Sequence, residues 1–231
     1  MRYALYYAPP AGSALWRLGC AWLGRDAESG ATPRRPPCGI EPAEIAAATR
    51  DAARYGWHAT LKPPFALAAG TTEAALEAAL ETFVAARTSF AGPLMEVRAF
   101  DEFLALRPVA PCPPLETLAA DLVREFDRFR APASAAELAR RRQHGLTPRQ
   151  EQHLSHWGYP WVLDEFQFHL TLTDRLPPDQ RRRFAETLAT LLGEALAASL
   201  PITEISLWSE ATPGAPFRLC RRFALAAPPG K

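Results

Sequence analysis

The chain reads as an α+β protein made of two related halves around a central cleft, and three observations point there. Segments with strand alternation and segments with helical spacing are interleaved along its length. One four-residue phrase occurs twice, as His58-Ala59-Thr60-Leu61 and as His169-Leu170-Thr171-Leu172. After each copy comes a helical pattern and then two strand patterns, so one structural order is used twice. Symmetric halves of that kind can carry both copies of a motif to one shared place.

Taken in order, Arg2 to Ala8 is a tyrosine-rich strand closed by Pro9-Pro10. Ser13 to Gly24 is a short helix with Leu15, Leu18 and Leu23 on one side. A loop rich in Pro, Gly and Arg, Glu28 to Gly39, leads to a helix over Pro42 to Arg54. The strand that carries His58 ends at Pro63-Pro64, because proline has no N–H to give to a central ladder. Thr72 to Ala86 is an amphipathic helix with Leu76, Leu80 and Phe83 at helical spacing. Leu94 to Phe100 and Glu102 to Arg107 are strands, and Leu115 to Phe129 is a helix. Ala133 to Trp157 is a polar, Arg-rich helical pair broken near Gly145 to Pro148. It interrupts the doubling and reads as an insertion over about 133–158 of a single domain, 1–231. The His169 strand follows, then a helix from Pro178 to Leu200 and strands at Ile202 to Trp208 and Phe217 to Leu225.

Composition narrows the function. At 231 residues, 48% hydrophobic and 22% charged, the chain has the make-up of a globular protein with a substantial core. A formal charge of +1 supplies no overall field for nucleic acid or a membrane surface, so any phosphate affinity must be local. No apolar run approaches the roughly 20 residues needed to cross a bilayer, and the first ten residues are too short and too polar for a signal peptide. Cys20, Cys38, Cys112 and Cys220 are scattered and read as thiols of a cytoplasmic protein, though one bridge stays open.

The two motifs carry the chemistry. In a strand, residues i and i+2 share a face, so His58 looks out with Thr60, and His169 with Thr171. Two imidazoles, each with a hydroxyl beside it, are the parts needed for general acid–base work on an anionic group. A third match, His153-Leu154-Ser155, lies in a stretch with a helical start signal, Thr147-Pro148, where i and i+2 do not face each other. Lys62, the one internal lysine, falls on the His58 face by alternation and is a candidate phosphate contact. Tyr3, Tyr6 and Tyr55 either place rings in the cleft or pack in the core. Arg141, within Arg140-Arg141-Arg142, either lies on a solvated face or binds a second phosphate if the insertion overhangs the cleft. His153 and His156, with Glu151 or His144, have the spacing for a hydrolytic metal site, against the alternative of a solvated helix. Trp157 and Tyr159 are expected either in a lid wall or in the core.

Paired His-x-Thr-apolar strands in a duplicated α/β frame resemble the 2H phosphoesterase superfamily. Within it the chain resembles the bacterial proteins encoded beside carbon–phosphorus lyase genes in phosphonate operons. The resemblance runs through Arg2-Tyr3-Ala4-Leu5-Tyr6-Tyr7, Trp22-Leu23-Gly24-Arg25-Asp26, the long block Arg54 to Phe65, Leu146 to Gln150, Trp157-Gly158-Tyr159-Pro160 and Phe168 to Thr173. It implies two lobes whose antiparallel sheets form a cradle, and a site with no metal and no other cofactor on its floor. It also implies catalytic roles for His58, Thr60, His169 and Thr171, with one imidazole neutral and the other protonated near neutrality. The partner expected is a small phosphorylated metabolite, such as a phosphoribosyl cyclic phosphate. An RNA-end or 2′,3′-cyclic nucleotide phosphodiesterase and a non-catalytic module binding phosphorylated metabolites are the alternatives.

Overall fold

The computed structural model describes residues 1–143 and 145–228; His144, a candidate metal ligand in the sequence, lies outside them. In chain order the elements are β1 (Arg2–Tyr7), α1 (Ala14–Leu23), α2 (Pro42–Ala48), α3 (Arg50–Tyr55), β2 (Ala59–Phe65) and α4 (Glu73–Ala85). They continue with β3 (Phe90–Ala91), β4 (Met95–Phe100), β5 (Phe103–Pro108), α5 (Pro113–Glu125), α6 (Ala135–Arg142) and α7 (Pro148–Trp157). The chain then forms β6 (Leu170–Thr171), α8 (Pro178–Leu192), β7 (Pro201–Ile202), β8 (Glu204–Glu210) and β9 (Arg218–Ala224). The architecture is α+β, dominated by one large antiparallel sheet. No helix among the described residues is long and apolar enough to cross a membrane. All four cysteines are free.

Helix boundaries follow local chemistry. Thr72 accepts the Ala75 N–H at the start of α4, and Leu76, Leu80 and Phe83 then fall on its buried face. Capping boxes open α6 (Ser134 with Glu137) and α7 (Thr147 with Gln150). In α8, Phe184, Leu188 and Leu192 recur every four residues and are all buried. The single helix expected over 42–54 is instead two, α2 and α3, because the chain leaves helical geometry at Thr49. There the Thr49 hydroxyl turns back to donate to the Ile45 carbonyl. The helices expected to reach Phe129 and Leu200 end earlier, at Glu125 and Leu192, each followed by a short 3-10 turn.

The sheet corrects the expectation of separate sheets in two lobes. Seven strands form one sheet in the order β4-β5-β6-β2-β1-β8-β9, with β3 and β7 as a separate pair. The strands after the first motif, β4 and β5, lie beside β6 of the second motif. The strands after the second motif, β8 and β9, lie beside β1 and β2. The two sides meet through a single registered pair, Ala59 opposite Leu170.

Helix α5 packs on β2, α4 on β8 and β9, and α8 on β4 and β5. Leu5, Leu61, Leu80, Leu122 and Phe126 are among the side chains buried in this core. Between β1 and β2 the register slips twice. Tyr6 pairs with Thr60, but its neighbour Leu5 pairs with Lys62, so β2 holds one extra residue there. Such a bulge reverses which face the following side chains occupy. Lys62 therefore sits on the core side. It is almost wholly buried, donates to the Val123 carbonyl at 3.2 Å and lies 3.7 Å from Asp127.

Burial lowers the Lys62 pKa to about 8, with the attraction of Asp127 opposing the shift. A lysine depressed in the folded state binds fewer protons there than in the unfolded chain between about pH 8 and the usual value near 10.4. Stability therefore rises with pH across that window. Urea unfolding at pH 8 and pH 10 should show the wild-type protein gaining roughly 2 kcal/mol relative to Lys62→Met. An equal pH response in both proteins would show that this lysine titrates normally.

Candidate active site

The face of the sheet that carries Tyr6 and Thr60 forms the floor of a cavity of about 850 Å³. His58, Thr60, His169 and Thr171 all line it. The antiparallel pairing of Ala59 with Leu170 accounts for their grouping. Carried one residue either way, that register sets His58 opposite Thr171 and Thr60 opposite His169. All four side chains thereby reach one cavity.

Both rings are oriented in the same way. The Nδ1–H of His58 donates to the carbonyl of Gly56 at 2.9 Å, and that of His169 donates to the carbonyl of Gln167 at 2.8 Å. Carbonyls only accept, so each neutral ring keeps its proton on Nδ1 and leaves Nε2 available. The Thr60 hydroxyl lies 3.4 Å from Nε2 of His58. Gly56 is needed for this arrangement. Its φ is +83°, and a Cβ there would come within 2.9 Å of Ala27 and Trp208.

The two rings differ in surroundings. Tyr6 stacks on His58 with centroids 3.9 Å apart, and Trp208 lies 5.6 Å away. His169 meets the edge of Phe100 at 4.9 Å, with Phe103 at 6.2 Å. Burial pushes the His58 pKa down to about 4, with the Gly56 hydrogen bond opposing the shift and His169 adding to it. Burial also lowers His169, against the pull of the Gln167 carbonyl. The expectation of one neutral and one protonated ring near pH 7 therefore does not describe the protein on its own. Both imidazoles are held neutral, because the aromatic walls that orient them also strip away water.

Of the other residues singled out in the sequence, Tyr6, Tyr55 and Arg141 line the cavity. Lys62 and Tyr3 do not, and both positions are corrections. Lys62 is turned into the core by the bulge. Tyr3 is three residues from Tyr6 and so points to the other face of β1. It is buried and donates to Glu73 at 3.0 Å. Helix α6 supplies Glu137, Arg140 and Arg141 to the cavity wall, and Tyr159 lies beneath the Arg141 guanidinium at 4.3 Å. His153, by contrast, is buried with its Nε2 against Asp164 at 2.8 Å, outside this cavity. Among the described residues no group of three or more His, Cys, Asp or Glu is placed to hold a metal ion.

Residues overlooked in the sequence are Arg2, Arg54 and Asp174. Arg2 was legible by parity, since it lies four residues from Tyr6 on the same strand face. Arg54 is four residues before His58, at the end of α3. Asp174 follows the second motif and accepts the N–H groups of Asp51 and Ala52 at 3.0 and 2.9 Å, so it holds the start of α3. The second motif thereby positions the helix that leads into the first. Replacing Asp174 with Ala should cost about 1 kcal/mol, the usual value of a lost helix cap, and lower the melting temperature by roughly 2–4 °C. An unchanged melting curve would show that α3 is held by other contacts.

A family model described as "Protein of unknown function (DUF1045)" matches residues 60–218. The chain is 39% identical over 221 residues to a protein of Laribacter hongkongensis named ribose 1,5-bisphosphate phosphokinase PhnN, a match covering 96% of this chain and 51% of the relative. A protein of Janthinobacterium sp. with the same name is 37% identical over 225 residues, covering 94% of this chain and 49% of the relative. The chain spans about half the length of the curated relatives it matches. It belongs to the DUF1045 family.

Proposed function

We propose that this member of the DUF1045 family is a phosphodiesterase of the 2H type that opens a small cyclic phosphodiester without a metal ion, most simply a phosphoribosyl cyclic phosphate formed in phosphonate breakdown. The observation that carries this reading is the shared orientation of two imidazoles, each anchored through Nδ1 and each presenting Nε2 to one cavity. The two stretches after the motifs, which exchange sides in the sheet, support a duplicated origin for the fold. In this reading the helices at 135–157 are an insertion that closes over the cleft.

The reaction follows from those groups. Water attacks phosphorus and gives a proton to Nε2 of the neutral histidine. The bond from phosphorus to one ring oxygen breaks, and that oxygen takes a proton from Nε2 of the second histidine. Thr60 and Thr171 donate hydrogen bonds to the non-bridging oxygens, where charge develops. The second imidazole acquires its proton together with the substrate, because an adjacent phosphate anion favours the imidazolium form. Tyr6 keeps the His58 ring aligned.

The name of the relatives offers a second reading, phosphoryl transfer to a ribose phosphate. A nucleotide-binding loop of the form G-x-x-x-x-G-K-S/T cradles phosphates on backbone amides. In this chain Gly19 and Gly24 have that spacing, but they belong to helix α1 and its cap, and Arg25-Asp26 follows. We therefore assign the kinase activity to the part of the relatives that this chain does not match. The two readings join chemically. If the bond to O2 of a 5-phosphoribosyl 1,2-cyclic phosphate breaks, the product is ribose 1,5-bisphosphate, the compound in the relatives' name.

Purified protein in excess chelator should open ribose 1,2-cyclic phosphate or its 5-phosphate, followed by phosphorus NMR. General acid and base transfers are each worth about 10²–10⁴-fold, so His58→Ala and His169→Ala should each lose at least that much. Full turnover in either variant ends the two-histidine mechanism. The pH profile is a separate check. In the free protein both imidazoles titrate below 6.5, so kcat/KM should fall as pH rises through neutrality. The upper limb of kcat should lie at higher pH, where bound substrate holds the proton. Coincident limbs for kcat and kcat/KM would refute protonation coupled to binding.

A further inference from the structure

We infer that Arg2 and Arg54, clamped together on the buried carboxylate of Glu210, form a second anion subsite in the same cavity and select substrates that carry a second phosphoryl group. The inference rests on the proposed phosphodiester chemistry only for the position of the first phosphorus. Glu210 ends β8 and is fully buried. Its Oε2 accepts from Nε of Arg2 at 2.5 Å, and Nη2 of the same guanidinium lies 2.5 Å from it as an ion pair. Its Oε1 lies 3.4 Å from Nη1 of Arg54 and accepts the Gly214 N–H at 3.0 Å.

One carboxylate thus holds two guanidiniums and leaves a surplus positive charge. Each guanidinium has five N–H donors, and Glu210 engages only some of them. Both arginines line the cavity. As a device for stability alone the cluster is a poor choice, since apolar side chains of similar volume usually serve a buried ion cluster's place as well or better. As a device for fixing two forked donors at a cavity wall it is apt, because bidentate arginine is the preferred partner of phosphate.

Placement agrees with this role. Arg2 and Tyr6 share a strand face four residues apart, about 13 Å between Cα atoms at ~3.3 Å per residue. Tyr6 stacks on His58, so with one phosphoryl group at the histidines the far end of a phosphorylated pentose lies along the sheet on the side where Arg2 is held at the cavity wall. The Arg54 guanidinium lies over the Tyr55 ring, 4.2 Å from its centroid. Five arginines line the cavity, Arg140, Arg141 and Arg175 being the others, against three acidic residues. One of those three, Asp174, is already engaged with backbone N–H groups. A chain with a net charge of +1 has gathered a positive excess in this one place.

The test compares ribose 1,2-cyclic phosphate with its 5-phosphate. The wild-type protein should prefer the 5-phosphate on the order of 10²-fold in kcat/KM, as two charge-assisted hydrogen bonds would give. Arg54→Gln and Glu210→Gln should each collapse that ratio towards unity, mainly through KM, and Arg54→Lys should restore part of it. Circular dichroism melts identify any variant that fails to fold, and for such a variant the Arg54→Lys ratio decides. Equal turnover of both substrates by the wild-type protein overturns the inference and leaves the proposed function standing. If neither substrate is opened, calorimetry with ribose 5-phosphate decides. Binding weakened about tenfold or more in Arg54→Gln supports the subsite, and equal binding overturns it.

Discussion

The contact on which the site depends is the short pairing of β2 with β6. Only Ala59 and Leu170 are in register there, yet that pair joins two stretches of sheet into seven strands and places both motifs at the centre. An antiparallel ladder has no freedom to slip by one residue without turning every side chain over. The cross-strand opposition of His58 with Thr171, and of Thr60 with His169, is therefore a consequence of backbone register rather than of side-chain attraction. Both flanking residues, Ala59 and Leu170, are fully buried, so the hydrophobic core on the far side of the strands holds the register.

The same walls that fix the rings also set their chemistry. Aromatic packing and carbonyl anchors give each imidazole one tautomer and one direction. The loss of water that comes with this lowers the proton affinity of both. In the proposed reaction a cavity that disfavours imidazolium and is lined by arginines suits an anion, because a bound anion favours the protonated ring. In that reading, recognition of the anion and protonation of one imidazole are one event. Glu210 extends the logic by keeping two guanidiniums at the wall with a charge that is itself out of water.

Much of this was legible in the sequence, and what was not has a local cause. The repeated His-x-Thr phrase identified four cavity residues because alternation is reliable within three consecutive strand positions. It misled at Lys62, one step further, because a bulge reversed the faces and nothing in Thr60-Leu61-Lys62 announces an extra residue. Tyr3 was misplaced for the opposite reason. The rule of two already separates it from Tyr6, and the same rule would have selected Arg2. The helix start at Thr147 was marked by its cap and the proline after it. The break at Thr49 was not, because Asp174, more than a hundred residues away, supplies the acceptors that make a second helix start tolerable. Arg54 stood inside the block around His58, but its role depends on Glu210, and no local pattern links the two.

The order of strands in the sheet has a consequence for how the molecule comes into being. Strand β1 pairs with β8, so Tyr3 finds Ser209 as its partner. During synthesis at about 5–20 residues per second, the first strand waits roughly 10–40 s for that neighbour. Until then one edge of β1 stays unsatisfied, and Arg2 has no Glu210 to hold it. Contacts this distant in sequence slow folding. The cavity wall is thus completed only after Glu210 has been made.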